Sequence, residues 1–455
     1  MVKTVVLCAI LVPLFFVSLK GKSHYLVVNV ALAPILATFS RLVGGVDLQF
    51  QSIKFIFLAS ALILLVKQNR LRTKGVSVPL FLFVSLVTFS FVSAFIIEGI
   101  SQGVINEFDQ MGLIYMVLVF FVPVFGMESS ELVGALRTII IYVFVPVAVF
   151  GIFQFLVGPA FIERLGFTLV TRNTESTFSK FFDRSDAMKY LGAGAVRPFS
   201  FLYSSGDFAA LMFHAVVWTI VLFRNELRNT LRYKILLLLF LVGLGVAQFV
   251  TVIILTLFAV VLFEFVDVSR TERFRRFVVD ILTVAALLFA VVMIVPEVGK
   301  RISVSVNLAD VFDTPSLGSR LLMIMSYPSL LKGHFLFGYG YSHMPLGFTP
   351  DQRILYISLL VGVPVAVYML FFYSAILKSA WRKMKRSVAN SNDHKLYVIV
   401  VLTMAAAILG NLSNGQIDST GPSNILTWII AGAAIAPTGI RARNNVGIIG
   451  TARKA

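Results

Sequence analysis

The chain has 455 residues, of which 58% are hydrophobic and only 13% are charged, and its mean hydropathy is +0.91. Soluble domains contain about a quarter charged residues, so this composition excludes an ordinary soluble protein and predicts an integral membrane protein. The net charge of +17 comes largely from short basic segments between apolar runs, which does not indicate a nucleic-acid partner. The single cysteine, Cys8, excludes a disulfide within this chain and a thiolate metal site.

Apolar runs long enough to cross a bilayer follow one another along the chain, since a spanning helix needs about 20 apolar residues. The first run has no small-residue cleavage site and leads directly into Lys20-Gly21-Lys22. We therefore expect a membrane helix there and not a signal peptide. The predicted spans are 4–19, 25–40, 51–66, 78–97, 111–127, 135–157, 207–223, 235–264, 277–295, 352–377, 396–411 and 424–440.

Basic clusters in the loops set the expected orientation, because positive charge accumulates on the cytoplasmic side. Clusters within 67–74, 224–234 and 378–386 are predicted to be cytoplasmic. The arginines of 270–276 fit this scheme only if the long run 235–264 crosses the membrane twice. The sequence therefore predicts two short helices there.

The bend between these two helices is predicted near Gly243, Gly245 and Gln248, with neighbouring helices burying it. The expected fold is an all-α polytopic integral membrane protein with about 12–14 transmembrane helices, forming one transmembrane domain over residues 1–455. It has two long extracytoplasmic loops, 158–206 and 296–351. Long loops in compact proteins usually carry function.

No phosphate-binding glycine loop, metalloprotease helix or zinc spacing occurs, so neither a metal nor another cofactor is expected. The second loop and the first residues of the span after it contain six candidate site residues: Arg320, Tyr339, Tyr341, His343, Asp351 and Arg353. Arg320 has a guanidinium group suited to phosphate, although an arginine that reaches lipid headgroups is an alternative. Asp351 is either a helix cap or a carboxylate that faces a substrate. His343 can either carry a proton near neutral pH or be a structural, hydrogen-bonded loop histidine. The aromatic residues Phe337, Tyr339 and Tyr341 can stack on sugars or form an interfacial belt.

The first loop ends in the segment from Arg197 to Ala210, which contains Ser204-Ser205-Gly206-Asp207. Serine and aspartate at a helix start are ordinary capping residues, so Asp207 is either a cap or a site residue. Arg197 is expected on the same side of the membrane as Arg320. Two arginines that converge on one cavity would form a cradle for a diphosphate.

The sequence resembles the O-antigen polymerase (Wzy) and O-antigen ligase superfamily of bacterial surface-polysaccharide assembly. Arg197 to Ala210 is similar to the family's segment of arginine, a small residue, phenylalanine, Asn/Asp and alanine. Gly318-Ser319-Arg320 followed by Phe337-Gly338-Tyr339-Gly340 is similar to its loop arginine and F-G-x-G motif. The helix beginning at Asp351 resembles one that starts with His or Asp and carries a later G-x-x-G, with Pro364 replacing the last small residue.

This resemblance implies a GT-C-like membrane fold and a metal-independent glycosyltransferase in the bacterial inner membrane with a periplasmic active site. Its expected partners are an undecaprenyl-diphosphate-linked glycan donor, a glycan acceptor, the bilayer, a chain-length regulator and a flippase. The family's arginines imply diphosphate binding by Arg320 and Arg197. Because the ligases have histidine where this chain has Asp351, the resemblance favours a polymerase. The segment Ala247–Thr251 lacks the arginine that the family often has there.

Other functional classes stay open on the sequence alone. A lipid-linked oligosaccharide flippase or other transporter would need ionisable residues along a pathway through its helices. An O-antigen ligase, a peptidoglycan-type polymerase and a membrane scaffold are further alternatives.

Overall fold

The computed structural model describes residues 12–13, 15–21, 23–32, 77–99, 112–157, 198, 200–202, 205–247, 249–267, 326–343, 353–413 and 421–436. All regular structure in these ranges is helical, which confirms the all-α prediction for this part of the chain. The predicted spans 51–66 and 277–295 and most of both predicted loops lie outside the described residues. The predicted number of helices therefore stays a prediction.

The main helices are numbered here in chain order. They are α1 (Ser77–Glu98), α2 (Ser129–Val157, with a π-helical turn at Ile140–Phe144), α3 (Ser205–Leu222), α4 (Leu231–Ala247), α5 (Val250–Asp267), α6 (Arg353–Val361), α7 (Val363–Arg386), α8 (Asn392–Ser413) and α9 (Gly421–Ile435). Shorter helical segments cover Ser23–Leu32, Leu113–Met116, Val117–Phe120 (a 3₁₀ turn), Phe121–Phe125, Arg224–Asn229 and 326–331.

Five stretches are long and apolar enough to cross a membrane, as the sequence predicts for a membrane protein. They are Pro79–Ile97, Ser129–Val157, Ser205–Leu222, Val363–Arg386 and Asn392–Leu412. Helix α1 exposes many of its apolar side chains, which suits contact with lipid, whereas α3 is buried from Gly206 to Thr219. Helix α3 packs against α4, α5, α8 and α9, so it is the central helix of the described bundle.

The long apolar run 235–264 forms two helices, as predicted. Helix α4 ends at Ala247 and α5 begins at Val250, whereas Gly243 and Gly245 stay helical. Gly243 serves close packing instead, because a Cβ atom there would lie 2.9 Å from the sulfur of Met212. The guanidinium carbon of Arg224 is 5.3 Å from the ring centroid of Phe263, so α5 returns to the end of the bundle where α4 begins.

Two predicted spans differ from the structure in being interrupted. The span 352–377 is divided at Gly362 into α6 and α7, and the span 111–127 consists of three short helical segments. No polar residue in either apolar run marks the place where the helix is interrupted. Both lie in contact with other parts of the chain, which satisfy or bury the irregular backbone.

Basic side chains lie at one end of the bundle. We call this end the basic end and define it by Arg137, Arg224 and Lys383. Arg137 donates a hydrogen bond of 3.1 Å to the carbonyl oxygen of Leu222 and lies 3.7 Å from the carboxylate of Glu226. Lys383 donates a hydrogen bond to the carbonyl oxygen of Ala436, directly after α9. The basic clusters of 224–234 and 378–386 therefore lie at the same end, as the orientation scheme requires.

A buried histidine joins two helices in the middle of the bundle. His214 of α3 is fully buried, with Nδ1 2.8 Å from the carbonyl oxygen of Ala210 and Nε2 3.0 Å from the hydroxyl of Thr427 in α9. Because a carbonyl can only accept, the proton is on Nδ1 and Nε2 accepts from Thr427. The sequence analysis did not single out this histidine.

Replacing Thr427 by valine is expected to lower the free energy of unfolding by roughly 0.6–1.7 kcal/mol, because it removes a hydrogen bond between membrane helices at nearly constant volume. Thermal unfolding in detergent measures the change. Thr256→Val is the matched control, since Thr256 is 3% exposed against 1% for Thr427 and its hydroxyl donates to the carbonyl of Val252 within its own helix. Equal losses in the two variants would contradict a linking role for the pair.

Candidate functional site

The end of the bundle opposite the basic end contains buried polar side chains, and we call it the polar end, defined by Asp207, Arg353 and Asn424. Arg353 is the first residue of α6 and only 6% exposed, and Asn424 lies in the first turns of α9 and is fully buried. Both side chains reach Gly112, where a Cβ atom would lie 2.7 Å from Nη2 of Arg353 and 3.5 Å from Nδ2 of Asn424. The structure thus brings a predicted site arginine together with an asparagine from a distant part of the chain.

Asp207 lies in the first turn of α3 and is 5% exposed. An acidic side chain suits this position, because the amino end of a helix carries partial positive charge. A buried carboxylate in a membrane protein is costly unless it interacts with other polar groups. Its position at the start of the central helix makes it part of the polar end.

The end of the first predicted loop is fixed onto α2 through Ser200. The backbone amide of Ser200 donates to Oε1 of Gln154 (2.6 Å), and Nε2 of Gln154 donates back to the carbonyl of Ser200 (3.1 Å). The Ser200 hydroxyl also donates to the carbonyl of Val147, and the Phe201 ring stacks on Phe150 at 4.1 Å. This turn lies a few residues before Ser205, the first residue of α3, in the chain.

The middle of the second predicted loop is also fixed, onto the junction of α6 and α7. We call residues 326–343 the docked segment. Its Tyr339 and Gly340 amides donate to the carbonyls of Leu359 and Leu360 at 2.7 and 2.9 Å. A helix end leaves such carbonyls without partners in the helix, so the docked segment caps α6.

The remaining carbonyls at this helix end are satisfied as well. Gly362 donates its amide to Ser358, and the Ser93 hydroxyl of α1 lies 2.8 Å from the carbonyl oxygen of Val361. The same hydroxyl is 2.7 Å from the carbonyl oxygen of Phe337 in the docked segment. The break in the helix is therefore closed by groups from three separate regions of the chain.

Two glycines allow this close approach. Gly338 has φ +70°, and a Cβ atom there would lie 2.5–2.6 Å from backbone atoms of Leu359 and Leu360. Gly362 has φ +98°, and its Cβ would overlap the backbone of Leu336. Both belong to the motifs that carry the family resemblance, so the F-G-x-G motif and the glycine of the following helix form one structural unit.

The predicted sugar-stacking tyrosines differ in their surroundings. The Tyr339 ring stacks on His334 with centroids 3.8 Å apart, and its hydroxyl donates to the carbonyl of Leu330. One ring face of Tyr339 is thus occupied within the protein. Tyr341 is 39% exposed and His343 is also exposed, so both side chains are accessible at the polar end.

The start of the docked segment contacts α6 directly. The Tyr327 hydroxyl forms a hydrogen bond with the hydroxyl of Ser358, and burial raises the pKa of the Tyr327 phenol. Tyr327 is therefore neutral at physiological pH. Arg320 is seven residues before Tyr327 in the chain, and Asp351 is two residues before Arg353.

Three of the predicted site residues, Arg197, Arg320 and Asp351, lie outside the described residues. Arg353, Asp207, Tyr339, Tyr341 and His343 are described, and their roles in substrate binding stay predictions. Within the described ranges no group of three or more His, Cys, Asp or Glu side chains could hold a metal ion.

Sequence reasoning missed Ser93, Gln154, Ser200 and Asn424, all of which are buried polar residues with contacts in or beside the polar end. Gln154 and Asn424 are polar side chains within apolar helices, which was a usable signal. Ser93 carried no signal, because serine is common in membrane helices.

No protein-family model matches this chain, and no curated protein matches it at a significant level.

Proposed function

We propose that this chain is a polysaccharide polymerase that joins undecaprenyl-diphosphate-linked oligosaccharide repeat units at the periplasmic face of a bacterial inner membrane. One observation carries the proposal. The Phe337-Gly338-Tyr339-Gly340 turn docks on the helix break at Gly362, so two segments on which the family resemblance rests contact each other. Arg320 precedes this unit in the chain, and Asp351 lies within the short stretch that joins its two parts.

The division of the bundle into two ends supports the orientation. Under the positive-inside rule the basic end faces the cytoplasm, so the polar end faces the periplasm. A polyprenyl-linked donor arrives within the bilayer, and an enzyme embedded beside it can receive the sugar at its outer face. The apolar, exposed surface of α1 next to the docked segment is compatible with contact to such a lipid.

In the proposed reaction an acceptor hydroxyl attacks the anomeric carbon of the donor sugar. The bond from that carbon to the diphosphate oxygen breaks, and undecaprenyl diphosphate leaves. Arg320 and Arg197 hold the diphosphate and stabilise its developing charge, and Asp351 accepts the hydroxyl proton. Arg353 and His343 contact the substrate, and Tyr341 offers a ring face to a sugar. The diphosphate linkage supplies the driving force, so neither a metal nor a nucleotide enters the scheme.

The test uses a strain lacking the gene and complemented with wild type, Arg320→Ala or Asp351→Asn at matched membrane levels. Arg232→Ala, which changes an exposed arginine in the first turn of α4 at the basic end, is the control. Surface polysaccharide and lipid-linked glycans are separated on gels. The proposal expects single repeat units on lipid and loss of long chains in both site variants, with normal polymer in the control. Normal polymer in the site variants would show that these residues are not the site.

A flippase for lipid-linked oligosaccharide is the second candidate, because Asp207, Glu264 and Arg353 are ionisable residues buried in the described helices. Such residues often mark transport pathways. The same strain distinguishes the two functions. A flippase predicts that the deletion traps repeat units on the cytoplasmic leaflet, where externally added glycosidase cannot reach them in intact spheroplasts.

A further inference from the structure

Each of the last four carbonyls of α6 accepts a hydrogen bond. Three of the donors are backbone amides, and the fourth is a side chain from another helix. Three carbonyls receive backbone amides from Gly362, Tyr339 and Gly340. The fourth, at Val361, receives the hydroxyl of Ser93. Ser93 is 2% exposed, so water cannot replace this donor.

Ser93 also contacts the docked segment, through the carbonyl of Phe337 at 2.7 Å. Since a hydroxyl has one proton and a carbonyl can only accept, the carbonyls of Val361 and Phe337 share the Ser93 proton. One hydroxyl of α1 therefore joins two elements that are 24 residues apart in the chain, at Phe337 and Val361. Between these two points lie the exposed Tyr341 and His343, the proposed base Asp351 and the buried Arg353. A displacement at Ser93 would shift both ends of the segment that carries these side chains.

We propose that Ser93 is a positioning residue, which holds the docked segment on the end of α6 and thereby sets the geometry of the periplasmic site. The effect on the site rests on the proposed polymerase function. The claim that Ser93 holds the docked segment on α6 does not depend on that function. Among the described residues, the Ser93 hydroxyl bonds to backbone carbonyls, and in the proposed scheme it takes no part in the chemistry.

Helix α1 offers a matched control one turn away. Ser90 is fully buried like Ser93, but its hydroxyl donates to the carbonyl of Leu86 within the same helix. Ser90→Ala and Ser93→Ala therefore remove the same atom from similar environments. The two variants differ in whether a contact to the docked segment is lost, and Ser93→Thr restores a hydroxyl at the same position.

The first measurement is hydrogen exchange of the Tyr339 and Gly340 amides in the purified full chain, followed by mass spectrometry. Loss of a buried hydrogen-bond donor is expected to speed exchange of these amides by about tenfold in Ser93→Ala. Ser90→Ala should exchange as wild type does, and Ser93→Thr should recover most of the protection. Unchanged exchange in Ser93→Ala would overturn the positioning role.

The second measurement is polymer formation from a lipid-linked donor by equal amounts of folded protein. Ser93→Ala is expected to lower the rate at saturating donor by about three- to tenfold with a smaller change in KM, because the site is misplaced and not removed. Faster exchange with an unchanged rate would overturn the link to the site. Absence of polymerase activity in wild type would refute the proposed function and leave the exchange result standing.

Discussion

Gly338→Ala is expected to prevent the docked segment from binding the end of α6, and to lower both the folded yield and the melting temperature of the protein. Two effects add at this position. A side chain at φ +70° is strained by about 1–2 kcal/mol, and the new Cβ would meet backbone atoms of Leu359 and Leu360 at 2.5–2.6 Å. Backbone atoms cannot rotate away, so the overlap adds roughly 1–3 kcal/mol. The sum of about 2–5 kcal/mol is a large part of the stability of a typical protein.

The control lies five residues away in the same segment. Gly333 has φ +88°, but a Cβ atom there would meet nothing within 4 Å. Gly333→Ala therefore carries only the backbone strain, about 1–2 kcal/mol. Fluorescence-detected size-exclusion chromatography in mild detergent gives the folded yield, and a thermal ramp gives the apparent melting temperature. Similar losses in the two variants would refute the docking of Gly338 against α6.

The sequence predicts the positions of uninterrupted helices well, because these depend on local hydrophobicity alone. The predicted span 78–97 corresponds to Ser77–Glu98, and 207–223 corresponds to Ser205–Leu222. The paired helices α4 and α5 followed from a charge argument, since the arginines after the run had to return to the cytoplasmic side. Such arguments need no knowledge of distant contacts.

The interruptions could not be predicted in this way. Gly362 lies in an apolar run that reads as a continuous helix, and its break depends on amides from residues 339–340. Those amides are available because Gly338 and Gly362 lack side chains. The meeting of Arg353 with Asn424 is similarly a property of the folded chain, because 70 residues separate them. Pairings between distant segments need information that one sequence does not contain.

The second large effect concerns Arg353 and can be tested without removing its charge. Deleting a buried arginine removes the charge with which its neighbours interact, and this destabilises the fold. A loss of polymer in Arg353→Met could therefore come from the lost substrate contact or from the weakened fold. Gly112→Ala avoids this difficulty. The new methyl group would lie 2.7 Å from Nη2, so the guanidinium must move while remaining in the protein. A flexible side-chain end can move in this way without unfolding the chain.

If Arg353 contacts the donor as proposed, Gly112→Ala should reduce polymer formation by roughly 10- to 100-fold, because small misplacements in a site have effects of this size. The matched control is Gly99→Ala, since Gly99 has φ +64° against +70° at Gly112 and meets nothing within 4 Å. Both variants carry the same backbone strain, and only one displaces the arginine. Polymer length and the lipid-linked pool are compared at equal amounts of folded protein. A loss confined to Gly112→Ala assigns the effect to the position of Arg353, whereas equal activities would remove this arginine from the site and leave it a structural role beside Asn424.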